Sequence, residues 1–243
     1  YLMSHPLTGD RIRFMENHVA HSRYSDAPTP PDQIAAHARM QGKLNGFLNA
    51  PPETLSRYPA TDPSMEAKYA RAIAYMKQNE TENALAVLDP QIQRSPKDPF
   101  LHELRGDILR DAGRTREAMA SYKTAVEILP WAALIRISLA QTQIELNDKP
   151  HLMEAVVNLK EAIRFESQVA HAWRQLAIAY GRMEKHGLAS HALAEEAMLN
   201  GDYRNAARLS LRAMKVLPEG SPEWLRSQDI EIEAKRIKKE RDG

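Results

Sequence analysis

Cysteine is absent from the 243 residues, which excludes thiol nucleophiles, disulfides and every zinc or iron–sulfur site built on cysteine. The compartment stays open on that ground, because an oxidising periplasm disfavours stray thiols and many other chains also lack them. Charge of one sign is lacking too: 33 Lys and Arg face 32 Asp and Glu, a formal net charge of +1. Nucleic acid and acidic surfaces are normally met with a large cationic excess, so no nucleic-acid partner is expected. No stretch approaches the 18 or so uncharged apolar residues that span a bilayer, and the mean hydropathy is −0.54, so no membrane insertion is expected. Glycine is scarce, 10 in all, and the phosphate-cradling patterns GxxxxGK[ST] and GxGxxG and the nucleophile elbow GxSxG do not occur. HExxH is missing as well, so no helix presents two imidazoles and a general-base glutamate together. Alternating β-branched runs are not found, which removes the argument for a sheet.

What is present is a period. Aligning NALAVLDPQIQRSP with EAMASYKTAVEILP carries Ala84 onto Ala118 and Pro96 onto Pro130, a shift of 34. Ala155 follows after 37, with the excess at Asn147 to Pro150, and Ala189 after 34 again. A second column holds only small residues, Ala72, Gly106, Ala140 and Ala177, while larger ones recur at Tyr75, Leu109 and Tyr180 and at Leu88, Tyr122, Leu159 and Leu193. This pattern resembles the tetratricopeptide repeat (TPR), two antiparallel helices per unit with small residues where they touch. The expected fold is all-α, a TPR superhelix over residues 64–218, preceded by one or two connector helices in 1–63 and closed by a capping helix in 219–243. Ala206 follows Ala189 by 17, half a period, which predicts that the helix around His186 to Asn200 is shared between two pairs. Asp98-Pro99, Thr115 and Ser221-Pro222-Glu223 read as N-caps, and Gly113, Gly201 and Pro218 as stops.

Residues 1–63 hold 8 of the 15 prolines and do not show the period. Their opening, SHPLTGDRI (Ser4 to Ile12), followed by a helix, a Pro-rich linker and TPRs, resembles the junction after the catalytic domain in HtpX/BepA-type bacterial zinc metallopeptidases. His5, Pro6, Thr8, Arg11 and Ile12 carry the match. The resemblance implies that the chain is the C-terminal part of a periplasmic protease and chaperone of outer-membrane assembly, that His5 is an additional zinc contact when the peptidase domain is present, and that Arg11 anchors the segment to that domain. Zinc belongs to that parent; for this chain no cofactor and no catalysis are expected. The start within YLMSHPLTGDRI reads as a fragment.

In the TPR resemblance, function lies on the concave surface lined by first helices, which takes a protein or peptide partner. Its positions fall on Tyr69, Ile73, Met76 and Lys77, on Phe100, Glu103, Asp107 and Arg110, on Leu134, Ile137, Gln141 and Ile144, and on His171, Arg174, Ile178 and Arg182. The set mixes apolar side chains with both signs of charge and has no Lys/Arg cluster for a terminal carboxylate. A partly apolar segment is therefore the expected ligand, alongside the chain's own peptidase domain and outer-membrane assembly machinery as implied partners. Among the nine histidines, His18 and His21 are three apart and His186 and His191 five apart, spacings that read as solvated helix positions rather than a metal site. Tyr69, Tyr75, Trp173 and Tyr180 read as core, and KRIKKERDG as a solvated helix end. A stand-alone scaffold assembling a complex is the alternative to the protease module, with a cytoplasmic location left open beside the periplasmic one.

Overall fold

A computed structural model describes residues 8–25 and 27–242. Among them are thirteen helices and no strand. The all-α expectation holds. His5 and Pro6, which carry the N-terminal motif, lie outside the described residues.

The helices run α1 (Thr8–His21), α2 (Pro31–Leu48), α3 (Pro51–Arg57), α4 (Met65–Lys77), α5 (Thr81–Arg94), α6 (Pro99–Asp111), α7 (Thr115–Ile128), α8 (Ala133–Leu146), α9 (Lys149–Phe165), α10 (Ala170–Arg182), α11 (His186–Leu199), α12 (Tyr203–Met214) and α13 (Pro222–Asp242). The sequence period is their spacing: α4, α6 and α8 begin 34 residues apart and α10 37 later, the extra turn being absorbed by the longer α9. The same step places the start of α2 one period before α4. Helix α2 is thus in register with the first helices of the pairs, although Pro31–Leu48 lies in the stretch that reads as a connector.

Local chemistry sets the boundaries. The side chains of Ser64, Asp98, Asp148 and Asp202 each accept a bond from a backbone N–H in the first turn of the helix that follows. That supplies one of the orphan donors of each terminus. Thr115 is different from its sequence reading: it is the first helical residue, Arg114 holds the cap position, and no side chain caps α7. Gly113 and Gly201 have φ of 72° and 71°, beyond the ends of α6 and α11, where a Cβ would be strained.

Packing follows the columns. Ala72, Gly106, Ala140 and Ala177 are all buried where paired helices touch, and at Gly106 an added Cβ would lie 2.6 Å from the ring of Tyr122. Tyr69 and Tyr180 are buried, Tyr75 and Trp173 partly so, and all four pack into the cores formed by α4–α8 and α8–α11. Helix α8 serves both cores, Ile135 and Leu139 on one side and Ile137, Ala140 and Ile144 on the other. Helix α11 packs along α10 and along α12, so it belongs to two pairs as the half-period implied. Its consequence is burial on nearly every side, including Gly187, Ser190, His191, Ala194 and Ala197.

Candidate functional site

The predicted surface residues lie on α4, α6, α8 and α10, and their burial and bonding sort them into three groups. Tyr69, Ile73, Met76, Ile137 and Ile144 are buried and act as packing. In the first pair the cause is α2, which lies on the face of α4 that carries Glu66, Ile73 and Lys77. Two glycines permit this approach: a Cβ on Gly42 would sit 2.5 Å from the Glu66 carbonyl oxygen, and one on Gly46 would sit 2.8 Å from Ile73. The Lys77 ammonium donates to the carbonyls of Gly46, Phe47 and Asn49 at 3.2, 2.8 and 2.6 Å, satisfying acceptors left open at the end of α2. Below, buried Arg71 donates to the carbonyls of Tyr58, Pro59 and Asp62, and Tyr58 donates to Glu66 at 2.6 Å. The start of the array is thereby closed by its own chain.

The second group is a half-buried polar chain. Arg39 of α2 pairs with Asp98 at 2.8 Å and lies 4.3 Å over the ring of Phe100, while Lys43 meets Glu103 at 3.3 Å. Tyr122 donates to Asp107 at 2.6 Å, and Arg110 donates to Gln141, whose amide stands 2.8 Å from Nε2 of His171. Burial pushes the carboxyls of Glu103 and Asp107 upward, opposed by Lys43 at the first and by the Tyr122 bond and Arg110 at the second. Burial likewise drives the Tyr122 phenol well above its usual value.

The third group is open. Leu134 on α8 is 61% exposed and Ile178 on α10 39%, and His171, Arg174 and Arg182 of α10 are exposed as well. Arg174 is oriented by Glu196 at 2.7 Å, and Arg182 donates to the Ile144 carbonyl and to Asn147. Exposed apolar side chains on helices that also present oriented cations and an imidazole can bind apolar side chains and the carbonyls or carboxylates beside them.

Sequence reasoning missed Arg39 and Lys43, because the short α3 breaks the repeat after α2. The usable signal was the 34-residue step from Pro31 to Met65. Among the described residues no group of three or more His, Cys, Asp or Glu is gathered as for a metal ion, and no helix is long and apolar enough to cross a membrane. His186 is exposed while His191 is buried, so the two do not converge.

His191 has a structural consequence of its own. It stands edge-on to Trp173 and 3.0 Å from Ser227, whose only proton goes to the Glu223 carbonyl, so Nδ1 of the imidazole donates. Desolvation holds its pKa below 6.5, with Glu195 and Glu223 partly opposing. The neutral ring therefore contributes stability that is present above about pH 6.5 and is lost as pH falls through the depressed value. Thermal melts across this range are expected to fall on acidification, and His191→Asn, which keeps a donor but does not titrate, is expected to flatten that dependence. Glu103 and Asp107 act with the opposite sign, adding stability as pH falls through their raised values.

No family model matches the sequence, and no curated protein matches it. Among solved structures the chain is similar to MamA, with a TM-score of 0.52 and 17% identity over 70% of this chain and 96% of that one. MamA 41-end from Desulfovibrio magneticus RS-1 gives 0.51 and 13% over 72% and 96%. BtubC from P. vanneervenii gives 0.50 and 15% over 89% and 94%. The architecture is a TPR superhelix. At these identities the likeness is one of fold alone.

Proposed function

We propose that the chain is a protein-binding TPR module whose working surface is the open positions on α8 and α10. The observation that carries this is the contrast in exposure: Ile73 in the first pair is 0% exposed beneath α2, whereas Leu134 and Ile178 reach solvent at 61% and 39%. A photoreactive residue at Leu134 or Ile178 is expected to crosslink to a partly apolar polypeptide segment, and one at Ile73 is not. Equal crosslinking at all three, or capture of acidic tails alone, overturns the assignment of the surface.

The finer reading rests on Thr8, Arg11 and Ile12 together with His5 and Pro6. On it the module serves a periplasmic BepA-like zinc metallopeptidase, bringing misassembled outer-membrane proteins or assembly partners to a catalytic domain, with His5 contacting the zinc of that domain. The test is the parent reading frame upstream of Tyr1, where an HExxH helix and a downstream glutamate ligand are expected. Without them, the stand-alone scaffold becomes the reading, with the same binding surface.

A further inference from the structure

Exposed cations on this chain are of both kinds, some matched, as Arg164 with Glu161 at 2.7 Å and Arg236 with Glu240 at 3.0 Å, and some, such as Arg94 and Arg116, without an ion pair among the described residues. What sets helix α12 apart is that it gathers several of the second kind on one face. Ala206, Ser210 and Ala213 bury one face, and the opposite face presents Arg204, Arg208, Arg212 and Lys215, all exposed, with Leu211 among them at 44% exposure. None of the four makes an ion pair among the described residues. Arg208 donates to the Asn205 side chain at 3.1 Å, and the others have no such bond. Asp202 is near enough for Arg204 and Arg208 to feel its charge, but its carboxylate is occupied by the backbone and side chain of Asn205.

This arrangement works against the helix that carries it. Arg204–Arg208 and Arg208–Arg212 are like-charge pairs at i, i+4, which repel, and Arg204 sits in the first turn, where the helix dipole is already positive. A surface tuned only for stability would place a carboxylate at one of these positions. The twelve residues from Arg204 to Lys215 extend the row over roughly 17 Å at the helical rise, long enough to meet several anionic groups at once. Leu211 inside the row and Val216, 61% exposed, just beyond it add apolar side chains to the cations.

We propose that this face of α12 binds an anionic lipid surface, the four cations meeting headgroup phosphates and Leu211 and Val216 entering the boundary beneath them. Cations beside exposed apolar side chains match an anionic membrane interface. A nucleic-acid backbone and a purely acidic peptide both offer anions but nothing for Leu211 and Val216. The inference is independent of the polypeptide-binding surface on α8 and α10, and its test leaves that surface intact.

The test is flotation of the whole chain with vesicles of phosphatidylglycerol in phosphatidylcholine and with phosphatidylcholine alone, at low and high salt. Selective, salt-sensitive binding to the anionic vesicles is expected. Replacing all four cations, R204Q/R208Q/R212Q/K215Q, is expected to weaken it by about tenfold or more, without lowering the melting midpoint, since it removes repulsion. The charge-keeping R204K/R208K/R212K variant is expected to bind, and L211S/V216S to bind more weakly with the salt dependence retained. The proposal is overturned if the wild type ignores both vesicles or floats equally with both. It is overturned equally if the glutamine variant binds like the wild type, or if polyglutamate or a single-stranded oligonucleotide outcompetes the vesicles.

Discussion

Gly42→Leu is expected to strip α2 from the array and lower stability by about 3 kcal/mol, at the upper end of what overpacking costs. The size of the effect comes from what the new side chain meets. A Cβ alone would stand 2.5 Å from the carbonyl oxygen of Glu66 and 3.1 Å from its Cα, and backbone of a neighbouring helix cannot rotate aside. Denaturant unfolding followed by circular dichroism measures the loss. The same variant carries a functional readout, because Ile73 loses its cover when α2 leaves, and a photoreactive group at Ile73 should then begin to capture the polypeptide segments taken at Leu134. If stability falls while Ile73 stays silent, α2 is not what closes the first pair.

Gly106→Leu is expected to cost more, about 3 to 5 kcal/mol, because its Cβ falls 2.6 to 2.7 Å from three atoms of the Tyr122 ring, which is fully buried and bonded to Asp107. Tyr122→Ala alone should cost a similar amount through the cavity it leaves and the bond Asp107 loses. Together the two changes exchange volume across the same contact, so the double variant should recover a sizeable part of the sum. A double-mutant cycle on unfolding free energies decides the matter: additive losses would mean that Gly106 and Tyr122 do not share the contact.

The repeats could be read in the sequence because they are regular. The columns of Ala72, Gly106, Ala140 and Ala177 mark helix contacts that leave no room for larger side chains, and every such contact is buried. The same regularity named candidate surface positions, of which Leu134, His171, Arg174, Ile178 and Arg182 are open to solvent while Tyr69, Ile73, Met76, Ile137 and Ile144 are buried. What position within a unit cannot give is the neighbour beyond it. Ile73 and Ile178 occupy equivalent places, yet one is covered by α2 and the other is 39% exposed. Helix α2 was hidden because its companion α3 has seven residues where the other second helices have twelve to seventeen, so the period fails where it could first be recognised. The cations of α12 escaped for another reason: over the whole chain 33 positive residues balance 32 negative ones, and a total says nothing about which helix carries its charges unmatched.

The double membership of α11 has a consequence for how such a chain can grow. An array of equal pairs lengthens by copying a unit, since each copy presents the same two faces to its neighbours. Upstream of α10 that operation is open. At α11 it is not: Glu195 is held bidentately by Arg226 of α13, at 2.6 and 2.9 Å, while the adjacent Glu196 is held by Arg174 of α10. A unit inserted on either side of α11 would separate one of these buried carboxylates from the cation that holds it. Lengthening without that loss is open only on the N-terminal side of α10, and the last four helices are bound together as one block.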